Sequence, residues 1–300
     1  MRVCMSIAGS DSSAGAGIQA DLKTFAAHAV YGVTAITAVT VQNTVGVEAV
    51  QEIEPRIVQG QIRCLFQDMP IHAVKIGMVF NTPIIEAIAD ALNRWELPPV
   101  VLDPVMVSKS GYELLQREAR TALQELLLPL ADICTPNLHE AELLTGHTIR
   151  DLSEMEKAAQ ELRGMGSKTV VLKGGHLGEQ PGTDVYCDAR GTRRLEGEFI
   201  PTSNTHGTGC TFSSALAANL ALGCGHDEAA PRAKKYISAA LRASQPLGRG
   251  KGLHDVVQTL GHRGGLGVLQ GMDLQCSLDT LFIHLVNNLQ DFLDIGLVVC

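Results

Sequence analysis

The chain is poor in aromatic residues, which fill 4% of its 300 positions and include a single tryptophan, whereas hydrophobic residues fill 45%. Its core must therefore be built from aliphatic side chains, which favours helices packed on a mostly parallel sheet over an aromatic-rich sandwich. It contains no unbroken apolar run of about 18 residues, so no membrane span is expected. The opening "MRVCMSIAGSD" breaks into Gly-Ser-Asp too soon to serve as a signal peptide. No run of like charge forms a tail, and a net charge of −8 argues against non-specific binding to nucleic acid or an anionic membrane. The eight cysteines include no C-x-x-C pair and no Cys/His cluster at zinc spacing, and the ten histidines include no H-E-x-x-H. A reduced, cytoplasmic protein with free thiols is the expectation. A Walker A element is absent as well, and "GSDSSAGAG" lacks the G-x-G-x-x-G register of a dinucleotide loop.

What is present is a regular alternation. "VCMSIA" reads as a buried strand, and "AGAGIQADLKTFAAHAV" as a helix with apolar spacing at Ile18, Leu22, Phe25, Ala26 and Ala29. "GVTAITAVTVQN" and "VEAVQEI" carry strand signals, and Pro55 opens the helix that follows. The unit then recurs: strand "HAVKIG", helix "TPIIEAIADALNRW", strand "PVVLDPV", helix "REARTALQELLLPL", strand "DICTP", helix "NLHEAELLTG". A capping box from Ser153 to Glu156 is expected to open the next helix, followed by strand "KTVVLKGG". "TDVYCD" and "RRLEGEF" form a predicted hairpin, and two further helices begin near Thr208 and Asp227. This rhythm predicts an α/β fold, a mostly parallel central sheet with helices on both faces. One domain is expected over residues 1–255. Residues 256–300 change character, becoming glycine-rich and then amphipathic, and form an extension expected to be partly helical. A docking helix, a remnant of another domain and a divergent terminus all fit that extension.

In open α/β sheets ligands bind beyond the carboxyl ends of the strands. Asp11, Gln42, Asn43, Asp103, Asn137, Glu140 and Lys173 all follow strand patterns and would converge on one rim. Candidate oxygen ligands for a hard cation, one lysine and a glycine-led helix suggest phosphate handling. The strongest clue is "NTHGTGCTFSSALA". Gly207 and Gly209 allow a tight turn, and the helix beginning at Thr208 to Thr211 offers unpaired amides and its positive dipole end to an anion. A thiol at that end, Cys210, is expected to be shifted toward thiolate and placed to accept a substrate hydroxyl proton. The remaining cysteines read as ordinary structural residues.

"SIAGSDSSAGAGIQADLKTF", "TAVTVQNTVGV", "VKIGM", "VLDPVM", "TPNLHEAELLTG", "VLKGGH" and "NTHGTGCTFSSALA" occur in that order. Together, over residues 3–252, they resemble the hydroxymethylpyrimidine/phosphomethylpyrimidine kinases of thiamine biosynthesis, within the ribokinase-like superfamily. Sugar kinases of that superfamily carry an aspartate base where this chain has Cys210. The resemblance implies a three-layer ribokinase-like fold, ATP and Mg²⁺ as co-substrates, a homodimer, and two successive phosphorylations of 4-amino-5-hydroxymethyl-2-methylpyrimidine. It implies that Gln42 bonds the pyrimidine amino edge and that Gly9, Asp21, Met78 and Val105 line the substrate pocket. Asn137 and Glu140 would organise Mg²⁺, with Asp103 nearby, and Lys173 would approach the ATP phosphates. Gly207, Thr208 and Gly209 would form the anion hole, with Cys210 as base.

Two departures stand out. Ala14 occupies a position where the family often has glycine, and the family's G-K-G-x-G-P-x-H-like close is replaced by "GRGKGLHDVVQTLGHRGG". A pyridoxine/pyridoxal kinase is the nearest alternative, because its substrate is also a flat ring bearing a hydroxymethyl group. A non-catalytic ligand sensor is the alternative of another class.

Overall fold

The computed structural model describes residues 1–250, except 109, 176, 179 and 180. The expected extension at 256–300 and most of the altered C-terminal stretch lie outside the described residues.

Nine strands among the described residues form one sheet in the order β3-β2-β1-β4-β5-β6-β7-β8-β9. They are β1 (Val3–Asp11), β2 (Tyr31–Gln42), β3 (Val47–Glu52), β4 (Ala73–Ile76), β5 (Val100–Leu102), β6 (Ile133–Cys134), β7 (Thr169–Leu172), β8 (Asp184–Asp188) and β9 (Gly191–Leu195). From β2 through β1 and β4 to β7 every pairing is parallel. β3, β8 and β9 extend the two edges in antiparallel fashion. Neighbouring the sheet are α1 (Gly17–Ala27), α2 (Pro55–Asp68), α3 (Thr82–Leu92), α4 (Ala119–Ala122), α5 (Leu138–Thr145), α6 (Leu152–Gly164), α7 (Thr208–Ala221) and α8 (His226–Arg242).

The central strands are buried on both faces, and their side chains sort by parity. Met5, Ile7, Val74, Ile76, Val100, Leu102, Val170 and Leu172 point into a core shared with α2, α3 and α6. Cys4, Ala73, Val101, Ile133 and Val171 point the other way, onto Phe25 of α1, the alanine-rich α7 and the apolar side of α8. Small residues on α7, such as Ala215 and Ala218, let it lie close on the strands. On this second face the β1 and β4 parity also places two polar residues, Ser6 and Lys75, both fully buried.

Three local expectations differ from the structure. The capping of α6 begins two residues earlier: Asp151 accepts from the Glu154 N–H at 2.9 Å, and Glu154 accepts from the Arg150 N–H at 2.7 Å. Aspartate is a strong N-cap acceptor, and its use here makes Ser153 an internal residue. The segment "REARTALQELLLPL" is not one α-helix; α4 passes into a π-helical turn at Leu123–Leu127 and a 3-10 turn at Leu128–Leu130. Pro129 in the last turn lacks the N–H that would continue an α-helix. The second hairpin strand is confined to Gly191–Leu195, so "EGEF" falls beyond it.

Candidate active site

β1 sends the chain to β2 on one side, whereas β4 pairs on its other side, so the strand order reverses at β1. That reversal opens a crevice at the carboxyl ends of the parallel strands. A cavity of about 550 Å³ occupies it, within the size range of small-molecule sites. Its walls include Gly9, Gln42, Met78, Asp103, Val105, Asn137, Glu140, Lys173, Gly207, Thr208, Gly209 and Cys210. Asp11 lines it as well, so of the residues singled out from the sequence only Asn43 and Asp21 fall outside this cavity.

Two glycines hold the floor together. Gly17 begins α1 at φ +57°, and a Cβ there would lie 2.4 Å from the Gly9 carbonyl oxygen. Gly207 caps α7 at φ +79°, where a Cβ would lie 1.7 Å from the Gly15 carbonyl oxygen. Only glycine takes these left-handed conformations at such close backbone approach. The starts of α1 and α7 are thereby brought against each other. The Thr211 N–H makes the first intrahelical bond, to Gly207 O at 2.9 Å, so the amides of Gly209 and Cys210 precede the α7 ladder. They lie at the positive end of a 14-residue helix, where an anion is stabilised.

On one side of this helix start stand two charged groups. Lys173 Nζ donates to Asp103 Oδ1 at 3.0 Å, and Thr135 and Ser213 donate to the same carboxylate at 3.2 and 3.3 Å. Burial disfavours charge on Asp103, yet the Lys173 and Lys75 ammonium groups hold its carboxyl below the ordinary range. Burial likewise opposes charge on Lys173, and Asp103 and Glu140 outweigh it, holding the ammonium above its ordinary value. Both stay ionised. A Cβ on Gly209 would lie 3.3 Å from Lys173 Nζ, which shows how near the lysine comes to the α7 amides.

Asn137 and Glu140 form a reciprocal capping box at the start of α5. Glu140 N–H donates to Asn137 Oδ1 at 2.9 Å, and Asn137 N–H donates to Glu140 Oε2 at 2.8 Å. The Asn137 oxygen is thus committed to the helix, which makes Glu140 the carboxylate of the pair that a cation would meet. Among the described residues no group of three or more His, Cys, Asp or Glu side chains could hold a metal alone. A sparse carboxylate set suits Mg²⁺, which keeps several waters and takes phosphate oxygens as ligands.

The opposite side of the cavity is apolar. Met78, Leu114 and Ala38 form a small cluster with Val105, Phe80, Val47 and Val50 packed against it. Gln42 stands at the end of β2 beside it, its Oε1 accepting from the Thr40 hydroxyl at 3.1 Å. A flat ring can lie on this wall with its polar edge toward Gln42.

Two expectations are corrected here. Asp21 does not line the cavity: it is fully buried in α1 and accepts from Ser6, Ser214 and Lys75. The chain sends it to the sheet because its position on α1 faces β1 and β4, not the loop. Cys210 is also not shifted toward thiolate. Burial pushes its thiol up to about 11, although the Lys75 ammonium and the Gly17 N–H pull the other way. The helix-end field is real, but desolvation of the sulfur exceeds it.

One residue of the site escaped the sequence reading. His206 Nε2 lies 2.7 Å from Asp11 Oδ2 and 3.4 Å from Gln42 Nε2, closing the cavity between the first loop and α7. Its place just before "GTGC" was the available signal. Asp11 in turn accepts from the N–H groups of Ser13 and Ala16, both at 2.8 Å. Burial works against its carboxylate, but the hydrogen bond from His206 and those from Ser13 hold it at about 2.

Similarity to known proteins agrees with this geometry. The family model for phosphomethylpyrimidine kinase matches residues 11–255. The hydroxymethylpyrimidine/phosphomethylpyrimidine kinase of Rhizobium meliloti is 50% identical over 83% of this chain and 94% of that protein. The thiamine biosynthesis bifunctional protein ThiED of Geobacter sulfurreducens is 48% identical over 83% of this chain, which spans about half (51%) of that longer protein. Among solved structures, an ADP complex of Bacillus subtilis pyridoxal kinase superposes with a TM-score of 0.81 at 40% identity, over 88% of this chain and 100% of that one. The matched family model, the identities and the ribokinase-like sheet together show that the chain belongs to the phosphomethylpyrimidine kinase family of phosphotransferases.

Proposed function

We propose that the protein transfers the γ-phosphoryl group of ATP to the hydroxymethyl group of 4-amino-5-hydroxymethyl-2-methylpyrimidine. A second transfer, to the resulting monophosphate, gives the diphosphate used in thiamine biosynthesis. The observation that carries this reading is the meeting of Cys210, the first-turn amides of α7 and the Lys173–Asp103 pair in one cavity that also carries the Met78 and Val105 wall and Gln42. Names borne by relatives at 40–50% identity agree with it.

Each group has a distinct task. Met78 and Val105 face the ring, and Gln42 bonds its amino edge. Asp103 fixes Lys173 as a cation against the phosphates, and the amides of Gly209 and Cys210 meet the charge on the transferring group. The substrate oxygen forms a bond to the γ-phosphorus as the bond to the β-phosphate oxygen breaks and ADP leaves. The hydroxyl proton goes to Cys210 Sγ. The thiol holds its own proton at neutral pH, so the competent enzyme is the minor thiolate form. Glu140, with Asn137 orienting it, would hold a hydrated Mg²⁺, which when bound neutralises phosphate charge. A homodimer is inferred from the family resemblance and a cytoplasmic location from the cysteine pattern, and light scattering tests the first.

The test is a substrate panel with purified protein, ATP and Mg²⁺, scored for mono- and diphosphate products. Pyrimidine phosphorylation to the diphosphate is expected. Clear preference for pyridoxal would replace this reading with the pyridoxal kinase one. Absence of any product would favour a ligand sensor.

A further inference from the structure

Beneath the cavity floor lies a buried ionic knot that the reaction above does not use. Lys75 Nζ donates to both carboxylate oxygens of Asp21 at 2.9 Å, and neither side chain has any solvent exposure. Asp21 also accepts from the Ser6 hydroxyl at 2.5 Å and from the Ser214 hydroxyl at 2.7 Å. A buried ion pair costs desolvation that apolar residues of equal volume would avoid, so stability alone is a weak reason for it.

Its placement gives a better one. Residues four apart lie on one face of a helix. On α7 the pair is Cys210 and Ser214; on α1 it is Gly17 and Asp21. Ser214 bonds Asp21, and the Gly17 N–H faces the Cys210 sulfur, so the two helices meet through two successive rungs. Lys75 rises from β4 under the lower rung, packed so closely that a Cβ on Gly77 would lie 2.7 Å from its Nζ. The charged groups around Cys210 are Lys75 from β4, Asp21 from α1, Asp103 after β5 and Lys173 after β7.

We propose that Lys75, clamped by Asp21, is a positioning residue for Cys210: it fixes a cation beneath the sulfur and, through Asp21 and Ser214, fixes where α7 presents it. The inference rests on Cys210 being the reacting thiol. Lys75 is the foremost influence opposing the burial that pushes this thiol to about 11. Without the lysine, less of the thiolate would form at any given pH.

The test reads the thiol directly, without turnover. Labelling of Cys210 by iodoacetamide is followed between about pH 7 and 11 by mass spectrometry of its peptide. In the full-length Asp21→Asn/Lys75→Met variant the labelling limb is expected to move to higher pH, slowing labelling at about pH 8 by about threefold or more. An unchanged limb overturns the proposal. Faster labelling also overturns it, because that is what simple loosening of the cavity floor produces. If thermal melts show the double variant to be misfolded, Asp21→Asn/Lys75→Gln carries the test, since it removes the same cation and keeps polar partners for Ser6 and Ser214. Its limb must likewise move to higher pH, and an unmoved or lowered limb overturns the proposal. The base role of Cys210 is tested separately by turnover, so failure of one reading is distinguishable from failure of the other.

Discussion

His206 Nε2 and Asp11 Oδ2 stand 2.7 Å apart, although 195 residues separate them in the chain. The contact ties the loop after β1 to the turn before α7, the two segments whose glycines form the cavity floor. Because Asp11 also accepts from Ser13 and Ala16, one carboxylate orders the start of α1 and the wall beside Gln42.

This arrangement makes stability depend on pH in a definite direction. The Asp11 carboxyl titrates at about 2 in the folded protein against 3.8 for an ordinary aspartate. Its contribution is therefore fully present above the ordinary value and is lost as pH falls toward about 2. Asp11→Asn is expected to remove ~2 kcal/mol at neutral pH and to flatten the acid limb below about pH 4. Urea melts across that range check both outcomes; an unchanged acid limb would show that another carboxylate dominates.

Cys210→Ala should lower kcat about 10²-fold or more while ATP binding persists, the usual size of a general-base contribution. For the unaltered protein, kcat should rise with pH from neutrality toward the thiol's value of about 11. Cys210→Asp should retain turnover and lose that rise, because a carboxylate is already ionised. A flat profile in the unaltered enzyme would exclude thiolate formation as the limiting equilibrium.

Gln42→Ala should raise KM for the pyrimidine and leave kcat nearly unchanged. The side chain lies beside the ring wall and away from Lys173, so it binds ground and transition states alike. Steady-state kinetics at saturating ATP decide this, with an unaltered KM counting against the contact.

Lys173→Met leaves the buried Asp103 carboxylate without its hydrogen-bonded cation. The expected cost is about 3–5 kcal/mol of stability, together with weakened ATP binding. Asp103→Asn/Lys173→Met should recover much of the stability and none of the nucleotide affinity. Melting curves and calorimetric titration separate the two effects.

Ala14 adopts φ +60°, a conformation suited to glycine. Ala14→Gly relieves a left-handed Cβ clash of about 1–2 kcal/mol and costs about 0.4–1 kcal/mol in unfolded-chain entropy. A net rise in Tm of about 1–3 °C is expected, whereas Ala14→Val should lower Tm. Calorimetry of the two variants tests the sign.

Much of the site was legible in the chain. Strand-ending polar residues such as Asp103 and Lys173 were readable because short unbroken apolar runs end where each buried strand stops, and parallel topology puts those stops on one rim. The turn at Gly207 was readable because glycine there has few other uses. The exceptions have physical causes. Whether Asp21 faced ligand or sheet depended on the roll of α1, which the close approach of Gly17 to Gly9 sets. The cap of α6 was misplaced because Asp151 and Ser153 are both competent caps and only packing chooses between them.

By itself the sequence determined the α/β class, the order of strands and helices, and the glycine-led helix start carrying a thiol, since these follow from local periodicity and backbone freedom. Only the tertiary structure decided the state of that thiol. The field of α7 and the Lys75 ammonium favour its anion, and the sulfur's burial, with the Asp21 and Asp103 carboxylates nearby, disfavours it more. The sum depends on atoms that three-dimensional packing alone brings within a few ångströms.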